Sequence, residues 1–381
     1  MPGKVHKPKV IFSVTNCICH DQRVQKIAEE IKSIGAEVTI VGRRRGVCCR
    51  SGSVQFRTRR FRMIFRKGFL FYMFFNIRLF FYLLFHRSDL LVSNDLDTLL
   101  PGFLISKIKR VKLVYDSHEY FTGVPELQNR PFVKGVWSTI ERSVFPRLKH
   151  VMTVSDSIAD QYMMEYGIRP LTVRNCSPGS GSLAGYSRKE LGIDPGKLLL
   201  VLQGGGINID RGGEELIRAM SKVGNAFLFI IGSGDVLPLL KNMVNSEGLA
   251  EKMKFFPKMP WQEMMRYTKS ADAGFSLDKN TNINYRFSLP NKLFDYISAG
   301  IPVVAGDLPE VTRIITDHSC GIVIPEISPD EIIQAIRLLD ENRDLLKILK
   351  QNSRDAAEVL NWEKESVKVR EFYSKLLNNT K

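Results

Sequence analysis

The sequence lacks the cysteine and histidine patterns that hold structural zinc. Its six cysteines contain no C-x-x-C pair and no matching set of histidines, although tetrahedral zinc sites are built from such sets. We therefore expect no structural zinc site. The segment from Met1 to Lys9 is polar and basic, and the apolar run after it has only strand length. We expect no secretory signal and a reduced cytosolic setting.

The sequence also lacks low-complexity tracts and any repeat at a fixed period. Of its 381 residues, 44% are hydrophobic and 25% are charged. These proportions suffice for an apolar core and exclude an intrinsically disordered chain. At about 100–200 residues per domain, the length suggests two domains.

Acidic residues are scarce in the first third of the chain. Residues 1–112 hold 22 basic and 7 acidic side chains, whereas the remainder holds 33 of each. The whole net charge of +15 therefore comes from this part of the chain, which we expect to face something anionic. Charge alone leaves nucleic acid and an acidic lipid surface both open.

Short apolar runs alternate with helical stripes along the chain. Around a turn-rich break at residues 177–185, they predict strands at 10–14, 37–41, 90–92, 113–115, 151–154, 198–202, 227–231, 254–256, 273–277, 303–305 and 321–324. Buried parallel strands with helical crossovers form doubly wound sheets. We therefore predict two α/β domains with a ligand-binding cleft between them.

Residues 69–85 form an aromatic run, FLFYMFFNIRLFFYLLF. The run is shorter than the ~20 apolar residues of a bilayer span, and it contains Asn76 and Arg78. One interpretation is a helix buried against the sheet. The other is an in-plane membrane contact, because basic side chains bind lipid headgroups and aromatic rings settle at the interface. The stretch before the run is basic: Arg57, Arg59, Arg60, Arg62, Arg66 and Lys67.

A glycine-rich turn, QGGGINIDRGG, occupies residues 203–213 between a predicted strand and a predicted helix. Glycines at such a position let backbone amides approach a phosphate, and the helix N-terminus adds partial positive charge. Arg211 contributes a fixed charge. The turn is not a P-loop, because the Gly-Lys-Ser/Thr ending is missing.

A second candidate ligand-binding segment is the helix predicted between Pro290 and Gly300. Lys292 and Asp295 share one of its faces, as do Asn291 and Asp295. This face offers a cation where a phosphate would sit and, one turn further, a carboxylate that could bind two ribose hydroxyls. An ordinary surface ion pair is the alternative.

These residues resemble those of the retaining, nucleotide-sugar-dependent glycosyltransferases of family 4, which have the GT-B fold. The likeness covers nearly the whole chain: DQRV at 21–24, GAEV at 35–38, NDLDTLLP at 94–101, YDSHE at 115–119, TVSD at 153–156, VRN at 173–175, IGSG at 231–234, PNKLFDY at 290–296 and AGIPV at 299–303. It implies two Rossmann-like domains facing across a cleft. Residues 1–178 would bind the acceptor and residues 179–361 the nucleotide sugar. A C-terminal helix at 362–381 would cross back onto the first domain.

The resemblance also implies roles for individual residues. Arg211 and Lys292 would hold the donor diphosphate and stabilise the departing nucleotide, so that neither a metal nor another cofactor is expected. His118 would hydrogen-bond the donor sugar. The other implied donor-binding residues are Gly205, Gly206, Gly232, Gly234, Lys258, Asn291 and Asp295, and the implied acceptor-binding residues are Asp21, Arg23 and Asp95.

The chain departs from the family at Phe287, where many members have the first of two glutamates. Asn284 and Arg286 are the nearby candidates for contacting the donor sugar.

We therefore expect a retaining transferase that moves a hexose-type sugar from a nucleoside diphosphate to a lipid-linked saccharide in cell-surface polysaccharide assembly. It would lie on the cytoplasmic face of an anionic membrane. A GT-B sugar-nucleotide epimerase and a non-catalytic sugar-nucleotide-binding protein are the alternatives. A nucleic-acid partner is not expected, because the basic residues mix with a long aromatic run instead of a recognised reading module.

Overall fold

The structure, a computed structural model, describes residues 7–44, 56–181 and 183–378. Cys48, Cys49 and Ser182 lie outside the described residues. The chain divides into two compact units, one of residues 1–174 with 365–381 and the other of residues 175–364. Each unit is a parallel sheet with flanking helices.

The first unit contains a seven-stranded parallel sheet in the order β3-β2-β1-β4-β5-β6-β7. Its strands are Lys9–Ser13 (β1), Glu37–Arg43 (β2), Arg57–Phe61 (β3), Leu90–Asn94 (β4), Lys112–Ser117 (β5), His150–Thr153 (β6) and Leu171–Thr172 (β7). Its helices are Gln22–Ser33 (α1), Phe69–Phe85 (α2), Leu96–Lys109 (α3), Pro125–Gln128 (α4), Pro131–Val144 (α5) and Asp156–Tyr166 (α6).

The second unit contains a six-stranded parallel sheet in the order β10-β9-β8-β11-β12-β13. Its strands are Leu198–Gly204 (β8), Ala226–Gly232 (β9), Met253–Pro257 (β10), Ala273–Ser276 (β11), Val303–Gly306 (β12) and Gly321–Ile324 (β13). Its helices are Arg188–Leu191 (α7), Gly213–Ser221 (α8), Leu237–Ser246 (α9), Trp261–Ser270 (α10), Ile283–Phe287 (α11), Asn291–Ala299 (α12), Pro309–His318 (α13), Pro329–Glu341 (α14) and Arg343–Ala357 (α15).

The last helix, Trp362–Asn378 (α16), belongs to the first unit from Glu365 onward. Its Arg370 pairs with Glu30 of α1 at 2.5 Å, and Lys112 donates to the carbonyl oxygen of Leu376 at 2.5 Å. The α/β class and the returning helix agree with the fold that the sequence predicts.

Both sheets reverse their strand order beside the first strand of the unit, between β1 and β4 and between β8 and β11. In open α/β sheets, ligands bind outside the carboxyl ends of the strands at such a switch point. The switch points therefore lie at the loops after β1 and β4 in the first unit and after β8 and β11 in the second.

Helix α2 coincides with the aromatic run and has two different faces. Phe71, Phe75, Leu79 and Leu83 are at most 3% exposed, so the buried interpretation is correct for this face. On the other side large apolar side chains face solvent, and Phe81 and Phe85 are 51% and 77% exposed. Among the helices of the described residues, none combines the length and apolar character needed to cross a membrane.

Candidate active site

A pocket of about 340 Å³ opens at the carboxyl end of β8 in the second unit. Its walls are residues 202–207, Arg211 and the first residues of α12 with Pro290 before them. The structure thus brings five predicted residues to one pocket: Gly205, Gly206, Arg211, Asn291 and Lys292.

The two cations of the pocket share one buried carboxylate, Asp278, which follows β11. Nη1 of Arg211 lies 3.2 Å from Oδ1 of Asp278, and Nζ of Lys292 lies 3.0 Å from Oδ2. Asp278 is 2% exposed, and Lys292 is 8% exposed. The guanidinium of Arg211 also stacks over the ring of Tyr285, 5.0 Å from its centroid. Both cations are therefore held from behind while they face the pocket.

Burial and charge act against each other in this trio. Burial alone would raise the pKa of Asp278, but Lys292 and Arg211 outweigh it and leave the pKa below its ordinary value. Burial lowers the pKa of Lys292, and Asp278 opposes that shift. The arrangement therefore supplies two positive charges and one negative charge at the rim of a glycine-rich turn.

A second group of ionisable side chains meets at the carboxyl ends of β4 and β5 in the first unit. Nδ1 of His118 lies 3.4 Å from Asp95, and Nε2 lies 3.3 Å from Asp116. Arg23 is 3% exposed and binds Asp116 at 2.7 Å while it donates to the carbonyl oxygen of Val173. Asp95 has a φ of 59° and accepts a hydrogen bond from the backbone N–H of His118 at 2.8 Å. The imidazole is thus fixed from both sides.

The surroundings of His118 favour its protonated form. Burial alone would lower its pKa, but the carboxylates of Asp95 and Asp116 outweigh burial and raise the pKa to about 10. Burial would raise the pKa of Asp116, but Arg23 and His118 hold it well below its usual range. An imidazolium donates from both ring nitrogens, and here both face carboxylates, so a sugar hydroxyl at His118 would compete with Asp95 and Asp116.

Two family models divide the chain between them. The model described as Glycosyltransferase Family 4 matches residues 22–176, and the one described as Glycosyl transferases group 1 matches residues 187–356. The chain belongs to the family 4-like GT-B glycosyltransferases. An uncharacterized glycosyltransferase of Methanocaldococcus jannaschii, MJ1069, is 22% identical over 293 residues, which are 73% of this chain and 72% of that protein.

Solved structures share the fold of this glycosyltransferase at low sequence identity. Sucrose-phosphate synthase from Thermosynechococcus elongatus has a TM-score of 0.78 at 15% identity, covering 98% of this chain and all of that one. WaaG, a glycosyltransferase involved in lipopolysaccharide biosynthesis, has 0.75 at 18%, covering 95% and 98%. Anabaena HepE in complex with UDP-glucose has 0.75 at 14%, covering 96% and 99%.

The predicted glycines Gly232, which ends β9, and Gly234 pack against the glycine-rich turn and are not among the residues that line the pocket. A Cβ on Gly232, whose φ is 141°, would lie 1.9 Å from the carbonyl oxygen of Gly204. A Cβ on Gly234 would lie equally close to that of Ile207. These glycines therefore let two backbone segments pack together, with Ser233 bonded to both sides of the turn.

Asp295 lies one layer behind the pocket. Its Oδ1 accepts hydrogen bonds from Ser177 at 2.5 Å and from the indole N–H of Trp261 at 2.8 Å. Its Oδ2 accepts one from Gln203 at 3.2 Å. A ribose at this carboxylate would compete with three protein donors. Asn291, by contrast, lines the pocket and accepts a hydrogen bond from Asn175.

Other predicted residues of the donor side lie elsewhere in the second unit. Lys258 is exposed after β10 and is not part of the pocket lining. Asn284, Arg286 and Phe287 lie on the short helix α11, where Asn284 is buried and Arg286 is exposed. The carboxylate nearest the two cations is instead Asp278. Its position directly after a predicted strand was the signal available in the sequence.

The acceptor candidates of the first unit all have partners there. Asp21 caps α1 by accepting a hydrogen bond from Val24 N at 3.1 Å. Arg23 and Asp95 belong to the group around His118. Asp97, which the sequence pattern did not single out, is buried and bonds Thr15 at 2.5 Å, and burial raises its pKa to about 8.

Proposed function

We propose that this glycosyltransferase moves a hexose-type sugar from a nucleoside diphosphate to a lipid-linked saccharide, with retention of the anomeric configuration. The observation that carries the donor assignment is the pocket after β8, where Arg211 and Lys292 face a glycine-rich turn. Two cations beside a glycine-rich turn suit a diphosphate. HepE, which shares the fold, has been solved with UDP-glucose.

In the proposed mechanism, Arg211 and Lys292 bind the oxygens of the departing diphosphate, and the amides of Gly205 and Gly206 approach the same group. Negative charge grows on the leaving group as the glycosidic bond breaks, so fixed cations aimed at it stabilise the transition state more than the ground state. The acceptor hydroxyl attacks from the face that the diphosphate leaves, and its proton passes to an oxygen of the departing diphosphate as the new glycosidic bond forms. His118 is the proposed contact of the donor sugar, and Asp21, Arg23 and Asp95 belong to the acceptor side.

The exposed face of α2 supports the proposal that the acceptor lies at a membrane. Phe69, Ile77, Phe81 and Phe85 are 48–77% exposed on this one helix. Exposed basic side chains flank it: Arg57, Arg59, Arg62, Arg66, Lys67 and Arg87. Aromatic rings at an interface and basic groups at anionic headgroups bind a bilayer without crossing it. We propose that the protein lies on the cytoplasmic face of this membrane.

A thermal-shift screen with UDP, GDP, ADP and their sugars tests the donor proposal, because a ligand of the folded state raises its stability. We expect a shift with one base and a smaller shift in the Lys292→Ala variant. NMR of the product then reports the anomeric configuration. Conversion of the donor without an acceptor would favour an epimerase. Binding with no transfer to any acceptor would favour a binding protein.

Flotation with vesicles tests the membrane proposal. We expect the protein to bind vesicles containing anionic lipid and to bind neutral vesicles more weakly. A Phe81→Ser, Phe85→Ser variant should lose binding while its unfolding transition stays unchanged, because both side chains already face solvent. Equal binding by wild type and variant would remove α2 from the interface.

A further inference from the structure

We propose that Asp278 is a positioning residue for sugar transfer, which binds Lys292 and Arg211 from behind and fixes the direction in which both cations face the pocket. This inference rests on the proposed role of the two cations at the donor diphosphate. The sequence motifs described above do not include Asp278, and it is not part of the pocket lining. It therefore acts through the cations and not on the substrate.

The geometry gives each cation its own oxygen of the carboxylate. Oδ1 of Asp278 faces Arg211 at 3.2 Å, and Oδ2 faces Lys292 at 3.0 Å. Ser276, at the end of β11, donates to the same carboxylate at 3.5 Å. A rigid strand thus sets the position of Asp278, and Asp278 sets the positions of two long side chains from two other elements. Such preorganisation reduces the conformational entropy lost when the ligand binds.

Asp278 is the neighbouring carboxylate that opposes the effect of burial on the pKa of Lys292. Across from Lys292 lie Asp278 after β11 and Arg211 after β8, and Arg211 acts with burial to lower the pKa of Lys292. On its own helix, Asp295 is bonded by Ser177, Gln203 and Trp261. Lys279, beside Asp278, pairs with Glu215 of α8 at 2.7 Å.

The charge on Asp278 therefore controls the pH range over which Lys292 is an ammonium. A lysine loses its charge as the pH rises through its pKa. Removal of Asp278 deletes the influence that raises the pKa of Lys292 and keeps the two that lower it. The ammonium is then lost at lower pH, so the alkaline limb of the kcat profile moves to lower pH.

The test is the pH profile of kcat for wild type, Asp278→Asn, Asp278→Glu and Asp272→Asn. In Asp278→Asn we expect the alkaline limb to move down by about one pH unit or more. Asp278→Glu keeps the charge and displaces the carboxylate, so we expect an unmoved limb with a lower kcat. Asp272→Asn removes a comparable carboxylate at the other end of β11 and should leave the profile unchanged.

The outcomes separate this inference from the proposed function. If wild type binds no nucleoside diphosphate, the proposed function is wrong. If wild type binds one and Lys292→Ala does not, but the limb of Asp278→Asn is unmoved or Asp272→Asn moves equally, the positioning role is wrong. Circular dichroism at each pH checks folding. Should the asparagine variant not fold, the Asp278→Glu profile decides, because a shifted limb at preserved charge contradicts the inference.

Discussion

The two ends of strand β11 carry the same set of charges in different surroundings. Asp272, before the strand, contacts Arg188 of α7 and Lys350 of α15, the latter at 2.7 Å. Asp278, after the strand, contacts Arg211 and Lys292 at 3.2 and 3.0 Å.

The difference lies in what else each group contacts. The backbone N–H of Leu199 in β8 also donates to Asp272 at 2.8 Å. Asp272 and its two cations are therefore bound to the sheet at the amino ends of its strands. The cations at Asp278 line a pocket. In parallel sheets ligands bind at the carboxyl ends of the strands, whereas the opposite end serves stability. An identical trio of charges therefore has a structural role at one end and a proposed functional role at the other.

The largest expected effect separates the two lysines. Lys292→Ala should reduce kcat by several hundredfold, about the loss that follows removal of one preorganised electrostatic contact. Arg211→Ala should have a similar effect. Lys350→Ala, the matched change at the amino end, should leave kcat within about twofold, because surface-side substitutions away from the site act on stability. Steady-state transfer rates check all three, and a near-normal rate in Lys292→Ala contradicts the contrast.

The second effect concerns stability. Asp272→Asn leaves Arg188 and Lys350 without their carboxylate, and both are about a quarter exposed, at 22% and 24%. We expect the free energy of unfolding to fall by about 2 kcal/mol, below the 3–5 kcal/mol of a fully buried pair. Urea denaturation measures it. A loss of kcat in the folded Asp272→Asn enzyme would show that the amino end also serves catalysis.

The same contrast between strand ends applies to two histidines of the first unit. His118, after β5, has its pKa raised to about 10 against burial by Asp95 and Asp116. His150, at the start of β6, has its pKa lowered by burial and by Lys112. In an NMR titration from pH 5.5 to 8, His118 should stay protonated while His150 titrates below its ordinary midpoint. A His118 that titrates near 6.5 would mean that its two carboxylates are not charged together.

The sign of the pH effect on stability follows from the raised pKa of His118. The imidazolium in the folded state binds its proton more tightly than in the unfolded chain. The contribution of His118 to the free energy of unfolding is therefore complete below pH 6.5 and is lost as the pH rises toward 10. The His118→Asn variant should lose stability relative to wild type mainly at acidic and neutral pH, with the smaller difference at alkaline pH.

The sequence predicts the parts of the site that depend on local pattern. The turn after β8 and the start of α12 contain their glycines, Arg211 and Lys292 in recognisable order, and eleven strands follow from apolar runs. Strand β3 was missed because RTRRF has no apolar run, and β7 because it has two residues.

The rest of the site depends on strand order, which local pattern does not contain. Asp278 meets Arg211 only because β11 lies beside β8 in the sheet. Arg23 on α1, which follows β1, meets Asp116 of β5 because only β4 lies between these two strands in the sheet. The resemblance implies that Gly232 contacts the donor. In the structure a glycine is required there because the Cβ of any other residue would lie 1.9 Å from the carbonyl oxygen of Gly204.

Calorimetric titration of the cognate nucleoside diphosphate into wild type, Lys292→Ala and Lys350→Ala tests the central claim most directly. If the cations at the carboxyl end of the sheet grip a diphosphate, Lys292→Ala should bind at least about tenfold more weakly, a loss of about 1.4 kcal/mol. Lys350→Ala should bind as wild type does. Equal affinity in all three proteins would contradict the account.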